Sequence, residues 1–321
     1  MTAPRRSPAR GSVYALLGAL LFGANGSVAK VVMESGITAA QLTFMRGLAT
    51  AILAGIVLLF TGREHFRITR REVLGFALLG VVGLAMVQWL YAVAISRLPV
   101  GVALLIEYTA VILVAVAAWV IYKERVHGRL WWAILAVVAG LAVVAQIWDT
   151  RLDALGTVAA LGAAVAYAVY FLAGERRVAR RPPMAVVFWA ALFASGFWAV
   201  FSGWWLIEPG ALAEPVSLTG ALADVVVPVW VPLTWAVTVG SFAPFVLSFA
   251  ALRHLSATAV GILASAEVLF AFIVAWWWLG ETLVAVQIAG AALVLAGIVV
   301  AQTARDRVRD DVPPEVPTEV P

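Results

Sequence analysis

Residues 98–145 read LPVGVALLIEYTAVILVAVAAWVIYKERVHGRLWWAILAVVAGLAVVA, and they align without a gap on residues 255–302, LSATAVGILASAEVLFAFIVAWWWLGETLVAVQIAGAALVLAGIVVAQ. An interval of 157 residues carries Leu98 onto Leu255, Trp119 onto Trp276, Glu124 onto Glu281 and Gly140 onto Gly297. Both copies are apolar enough to be membrane helices, but their flanking charges differ. Lys123, Glu124 and Arg125 in the first stand where the second has Gly280, Glu281 and Thr282. Helix groups repeated with opposite membrane orientation build many secondary transporters, with the solute site at the repeat interface near the bilayer midplane. The repeat therefore predicts a membrane protein that moves a solute.

Composition agrees. Hydrophobic residues make up 64% of the 321 and charged residues only 12%, against about a quarter charged in soluble domains. A water-soluble globule of this size has no means of hiding so much apolar surface, so the predicted solvent is the lipid bilayer. The absence of cysteine excludes disulfides, thiolate metal sites and cysteine nucleophiles. A net charge of +4 does not point to nucleic acid, because the basic residues mark one membrane face and form no recognition module. The first apolar run, 13–32, exceeds the ~7–15 residues of a signal h-region and is read as a retained span.

Spans of roughly 20 apolar residues fall near 12–33, 38–60, 72–95, 99–122, 129–147, 154–174, 184–206, 230–252, 256–279 and 283–302. The predicted fold is all-α and integral to the membrane, ten transmembrane helices arranged as two inverted five-helix repeats. Residues 1–11 form a cytoplasmic N-terminus, 12–147 the first repeat, 154–302 the second, and 303–321 a disordered tail. With the N-terminus inside, cytoplasmic segments hold eighteen Lys and Arg residues, while the opposite face holds Lys30, Arg97 and Arg151. That bias predicts a multi-pass plasma-membrane protein with both termini cytoplasmic. The longest connection, 207–229, has Glu208, Glu214 and Asp224 but no basic residue, as expected outside.

These residues resemble the EamA-type members of the drug/metabolite transporter superfamily over about residues 12–302. The marks are Phe22-Gly23-Ala24-Asn25 with Lys30, Phe44-Met45-Arg46, Leu279-Gly280-Glu281-Thr282 and its counterpart Lys123-Glu124-Arg125. Leu98-Pro99-Val100-Gly101-Val102-Ala103, running into Glu107-Tyr108-Thr109, is similar to the threonine/homoserine exporter branch. The resemblance implies export of amino acids or related small metabolites. The family places Pro directly after the glutamate of span nine and after Thr in span four. This chain has Val268 and Ala110 or Val111 there, so the proline that would break each helix is missing.

Ionisable groups at mid-bilayer are costly and face a cavity or a partner. Glu107 lies eight residues into span four, roughly 12 Å below the outer boundary, and Glu267 eleven residues into span nine, roughly 16 Å from the inner one. In a core of about 30 Å these depths nearly meet. The repeat counterpart of Glu107 is Ala264, one helical turn before Glu267 on the same face. Arg46 in span two sits at the depth of Glu107. Either Arg46 and Glu107 form a structural ion pair, or Arg46 takes a substrate carboxylate while Glu107 or Glu267 takes its ammonium. Glu267 has no basic partner at its depth and is either a proton carrier or a neutral carboxyl bonded to a neighbouring helix. Asn25, Gln88, Trp89, Tyr91, Tyr108, Tyr167 and Tyr170, from spans one, three, four and six, either line the same cavity or join helix to helix. Lys30 and Glu34 snorkel or form a gate pair at the outer end of span one.

The predicted partners are a small, amino-acid-like solute, protons and the bilayer; no cofactor and no metal is called for. An enzyme is disfavoured, because His65, His127 and His254 are isolated in predicted loops, and there is neither a paired-aspartate nor a Walker motif. Export of drugs, cations or sugars, a passive channel and a scaffold are the alternatives.

Overall fold

The computed structural model describes residues 7–110, 112–114, 116–117, 128–144, 153–255, 260, 263–282 and 284–306. Trp119, Lys123, Glu124, Arg125, His127, Trp148, Arg151 and the two ends of the chain lie outside them. In chain order the helices are α1 Pro8–Glu34, α2 Ala39–Thr61, α3 Arg70–Ile95, α4 Val100–Glu107 and α5 Arg129–Val144. They continue with α6 Ala154–Val178, α7 Pro183–Phe201, α8 Trp230–His254, α9 Ala266–Leu279 and α10 Ala285–Asp306. Among the described residues six of them, α1, α2, α3, α6, α7 and α8, are long and apolar enough to cross a membrane, at 19–27 residues each. Their outward faces carry bare apolar side chains such as Phe60, Leu74 and Val200. A helix apolar all round belongs in a large core or in lipid.

Local chemistry sets the ends. Ser7 caps α1, Thr38 and Gln41 form a capping box on α2, Thr69 and Glu72 do the same for α3, and Asp153 caps α6. Glu72 also receives a two-pronged bond from Arg181, at 2.9 and 2.8 Å, which ties the start of α3 to the turn after α6. The predicted span 184–206 is shorter than expected. Its helix stops at Phe201, and Gly203 takes a left-handed φ of 66° before a short 3₁₀ turn. At the other end of the chain α10 runs past Thr303 to Asp306. Residues 207–229, expected only as a loop, hold a hairpin of β1 Pro215–Ser217 and β2 Val226–Pro228. The Trp278 indole donates to the Leu218 carbonyl at 2.8 Å, seating this hairpin region on the end of α9.

Irregular backbone recurs at the 157-residue interval. A π-helical segment occupies Leu78–Met86 in α3, and a second, Thr238–Phe242 in α8, falls within the matching stretch 235–243. After α4 the chain turns at Tyr108 and Thr109 before helical backbone resumes at Ala110; the matching position, Ser265, is a turn between helical Ala264 and Ala266. Both breaks exist without proline. At the first, the Thr109 amide and hydroxyl both donate to the Ile106 carbonyl, at 3.1 and 2.7 Å. At the second, the Val268 amide donates to Ser265 at 3.2 Å, three residues back instead of four.

Helices α5 and α10 meet through glycine. A Cβ at Gly140 would come within 2.7 Å of Val294 and 2.8 Å of the Gly290 carbonyl. One at Gly297 would come within 2.7 Å of Val137 and 3.0 Å of the Ala133 carbonyl. Early α5 thus faces late α10 and the reverse, so the two helices run antiparallel. Each contact maps onto the other at the interval of 157, and the small residues permit the close approach.

Candidate functional site

The site begins with Arg46, buried on α2 at 3% exposure. Its Nε donates to Ser241 Oγ at 2.6 Å, and the serine hydroxyl donates in turn to the Ala236 carbonyl at 2.8 Å. That second bond reaches back five residues, which the wider π-helical turn of α8 allows. One position earlier, Gly240 has no side chain where the Asn25 amide lies, so α1 and α8 meet there without a clash. Gly23 performs the same service against α9: a Cβ there would sit 2.8 Å from the Glu267 carbonyl oxygen. Glu107 is the last residue of α4 and Glu267 the second of α9, so both carboxyl groups stand beside helix breaks.

These groups share one cavity. Asn25 and Phe22 come from α1, Arg46 from α2, and Gly83, Leu84, Val87, Gln88 and Tyr91 from α3. Leu104 and Glu107 of α4, Tyr167 and Tyr170 of α6, Phe245 of α8 and Glu267 of α9 complete the wall. The cavity volume is about 40 Å³, and the site is polar and roomy enough to admit water. Six wall residues carry a buried side-chain atom with no hydrogen-bond partner: Asn25 Oδ1, Arg46 Nη1, Gln88 Oε1, Tyr91 OH, Glu107 Oε2 and Tyr170 OH. Leaving a buried polar atom unsatisfied costs about 1–3 kcal/mol, more for a charge. So many on one wall mark a surface shaped for something polar to enter.

Among the described residues no ion pair joins Arg46 to Glu107 or Glu267. Glu267 instead meets the Tyr108 hydroxyl at 2.7 Å, and that hydroxyl also lies 2.8 Å from the Ala264 carbonyl and 3.4 Å from Tyr167 OH. Eight of the ten residues singled out in the sequence therefore line the cavity. Tyr108 stands behind Glu267 and is fully buried. Trp89 packs on Trp198 at 5.4 Å, one residue round α3 from Gln88. Lys30 does not pair with Glu34. Its ammonium contacts Glu281 Oε1 at 2.6 Å, while Glu281 Oε2 accepts from the Val100 amide at 2.9 Å. The motif glutamate thus joins α1, the end of α9 and the first turn of α4.

Ser241 and Phe245 were not singled out in the sequence. The repeat held the signal: the interval of 157 carries Leu84 onto Ser241 and Gln88 onto Phe245, and three of these four line the wall while Ser241 holds Arg46.

Residues 9–146 and 154–303 each match the EamA-like transporter family. The threonine/homoserine exporter RhtA of Escherichia coli K12 is 28% identical over 84% of this chain and 82% of its own length. The protein of that name from Salmonella typhimurium LT2 is 29% identical over the same shares. An uncharacterized transporter, YwfM of Bacillus subtilis 168, is 25% identical over 91% of this chain and 94% of its own. A solved crystal structure superposes with a TM-score of 0.63 at 18% identity, over 94% of this chain and 99% of that one. Polar cavity, apolar exterior and two successive copies of one family pattern converge: the chain belongs to the EamA-like transporter family and is a multi-pass membrane transporter.

Proposed function

We propose that the chain is a secondary transporter of the plasma membrane that exports small amino acids by alternating access, coupled to protons. Ten helices form two inverted halves, residues 12–147 and 154–302, with both termini cytoplasmic and the solute held between the halves. The antiparallel contacts of Gly140 and Gly297, the paired π segments and the paired breaks support that symmetry.

The observation that carries the substrate class is the set of unpartnered charged and polar atoms on the cavity wall. Ser241 holds Arg46 through Nε and leaves Nη1 for a carboxylate. Glu107 Oε2 is open to an ammonium, and Asn25, Gln88, Tyr91 and Tyr170 offer further bonds. One guanidinium and one carboxylate are the complement of a zwitterion. Glu267 is then the surplus carboxyl; carrying a proton there leaves the wall neutral when the zwitterion binds. The names of the RhtA relatives support an amino-acid solute.

The test is counterflow of labelled threonine into proteoliposomes, with competition by other small amino acids and with an imposed pH gradient. Competed, gradient-driven uptake is expected. No threonine flux from folded protein removes the amino-acid assignment and turns the search to drugs, cations and sugars. Family membership stands in either case.

A further inference from the structure

The Tyr108 hydroxyl carries one hydrogen and faces two acceptors. Glu267 Oε2 lies at 2.7 Å and the Ala264 carbonyl at 2.8 Å. A single O–H satisfies one of them. Both contacts become hydrogen bonds together only if the carboxyl is protonated. The acid O–H then donates to the tyrosine oxygen, and the tyrosine O–H donates to Ala264. If Glu267 is ionised, Tyr108 must give its hydrogen to the carboxylate, and the Ala264 oxygen loses its donor.

Ala264 is the last helical residue before the turn at Ser265. In an unbroken helix its carbonyl accepts from the amide four residues on, that of Val268. Here the Val268 amide goes to Ser265 at 3.2 Å. Val268, unlike proline, has an amide hydrogen to give back.

We propose that Tyr108 is the positioning residue that passes the protonation state of Glu267 to the helix break at 264–268. With the proton on, Tyr108 holds the Ala264 carbonyl and the break stays open. With the proton off, Tyr108 turns to the carboxylate, the freed carbonyl retakes the Val268 amide, and the break closes. The hydrogens balance: one proton passes from Glu267 to water in the cavity, the Tyr108 hydrogen changes acceptor, and the Val268 amide leaves the Ser265 carbonyl for that of Ala264. Because α4 and α9 flank the cavity, this sets their relative position by proton occupancy. The inference rests on the proposal that Glu267 carries the coupled proton.

Other titratable groups face the same space: Arg46 from α2, Tyr91 from α3, Glu107 from α4, and Tyr167 and Tyr170 from α6. From α1 the nearest wall residues, Phe22 and Asn25, do not titrate, and Lys30 is engaged by Glu281. Among the described residues Tyr108 alone bonds the Glu267 side chain.

The decisive experiment is pH-difference infrared spectroscopy on purified wild-type protein in lipid, beside Glu267→Gln and Tyr108→Phe. In the wild type, loss of the protonated carboxyl band must coincide with a tyrosine band that reports a changed hydrogen-bond acceptor. Glu267→Gln must abolish both bands, since its amide donates permanently. Tyr108→Phe must keep the carboxyl band but lose the tyrosine one, and the pH dependence of its threonine exchange must flatten by about tenfold, the weight of one charge-assisted hydrogen bond. A carboxyl change without a tyrosine change overturns the switch and leaves proton coupling intact. A carboxyl band that never changes in wild type overturns proton coupling and the switch with it. The wild-type and Glu267→Gln spectra decide the matter even if Tyr108→Phe does not fold.

Discussion

At the scale of single residues, the charged groups are of two kinds, those whose polar atoms are partnered within the fold and those left with a buried atom unpartnered. Glu281 belongs to the first kind: Lys30 and the Val100 amide satisfy its two oxygens. Glu281→Ala is expected to lower stability by about 1–3 kcal/mol, read as a fall in the thermal unfolding midpoint followed by tryptophan fluorescence. Arg46 Nη1 and Glu107 Oε2 belong to the second kind. The two carboxylates and the arginine were legible in the sequence because charge inside an apolar run is rare enough to stand out. Of the two readings left open for Trp89, the structure shows the helix-to-helix one, since a residue next to Gln88 points about 100° away round the helix axis. Ser241 escaped because a small hydroxyl in a span also reads as helix glue. The repeat pairs it with Leu84, and its bond to Arg46 places it at the site.

At the scale of the element, the two helix breaks set the site. Proline was the sequence cue for such a break, and the chain lacks it at both places. Side-chain chemistry substitutes for it: the Thr109 hydroxyl takes the Ile106 carbonyl, and Tyr108 takes Ala264. Val268→Pro removes only the long 3.2 Å amide bond in the first turn of α9 and should cost no more than about 1 kcal/mol. Ala271→Pro, deep in the same helix, should cost about 3 kcal/mol or more. Comparable unfolding midpoints for the two variants would contradict the open break. The contact of α5 with α10 makes a further prediction. Gly297→Leu has to displace Val137 and the Ala133 carbonyl, an overpacking worth about 1–3 kcal/mol. Equal stability to wild type would show that these helices do not pack so closely.

At the scale of the molecule, the gap-free interval of 157 residues was legible before any coordinate, and it also relates the π segments and the breaks. The hairpin over residues 215–228 was not, because three-residue strands carry too little periodicity to register. Orientation has a direct test. The chain contains no cysteine, so single cysteines report without background. A cysteine replacing Asp224 should react with an impermeant maleimide on intact cells, and one replacing Arg180 only after permeabilisation. The opposite pattern would reverse the proposed topology. The claim on which the rest depends is that the Arg46 cavity is the transport site, and counterflow of labelled threonine into proteoliposomes, wild type beside Arg46→Gln, tests it most directly. Removing one partner of a buried charged contact costs about 2 kcal/mol or more, so a loss of at least about thirtyfold is predicted. An Arg46→Gln protein that unfolds at the wild-type temperature and transports at the wild-type rate would contradict it.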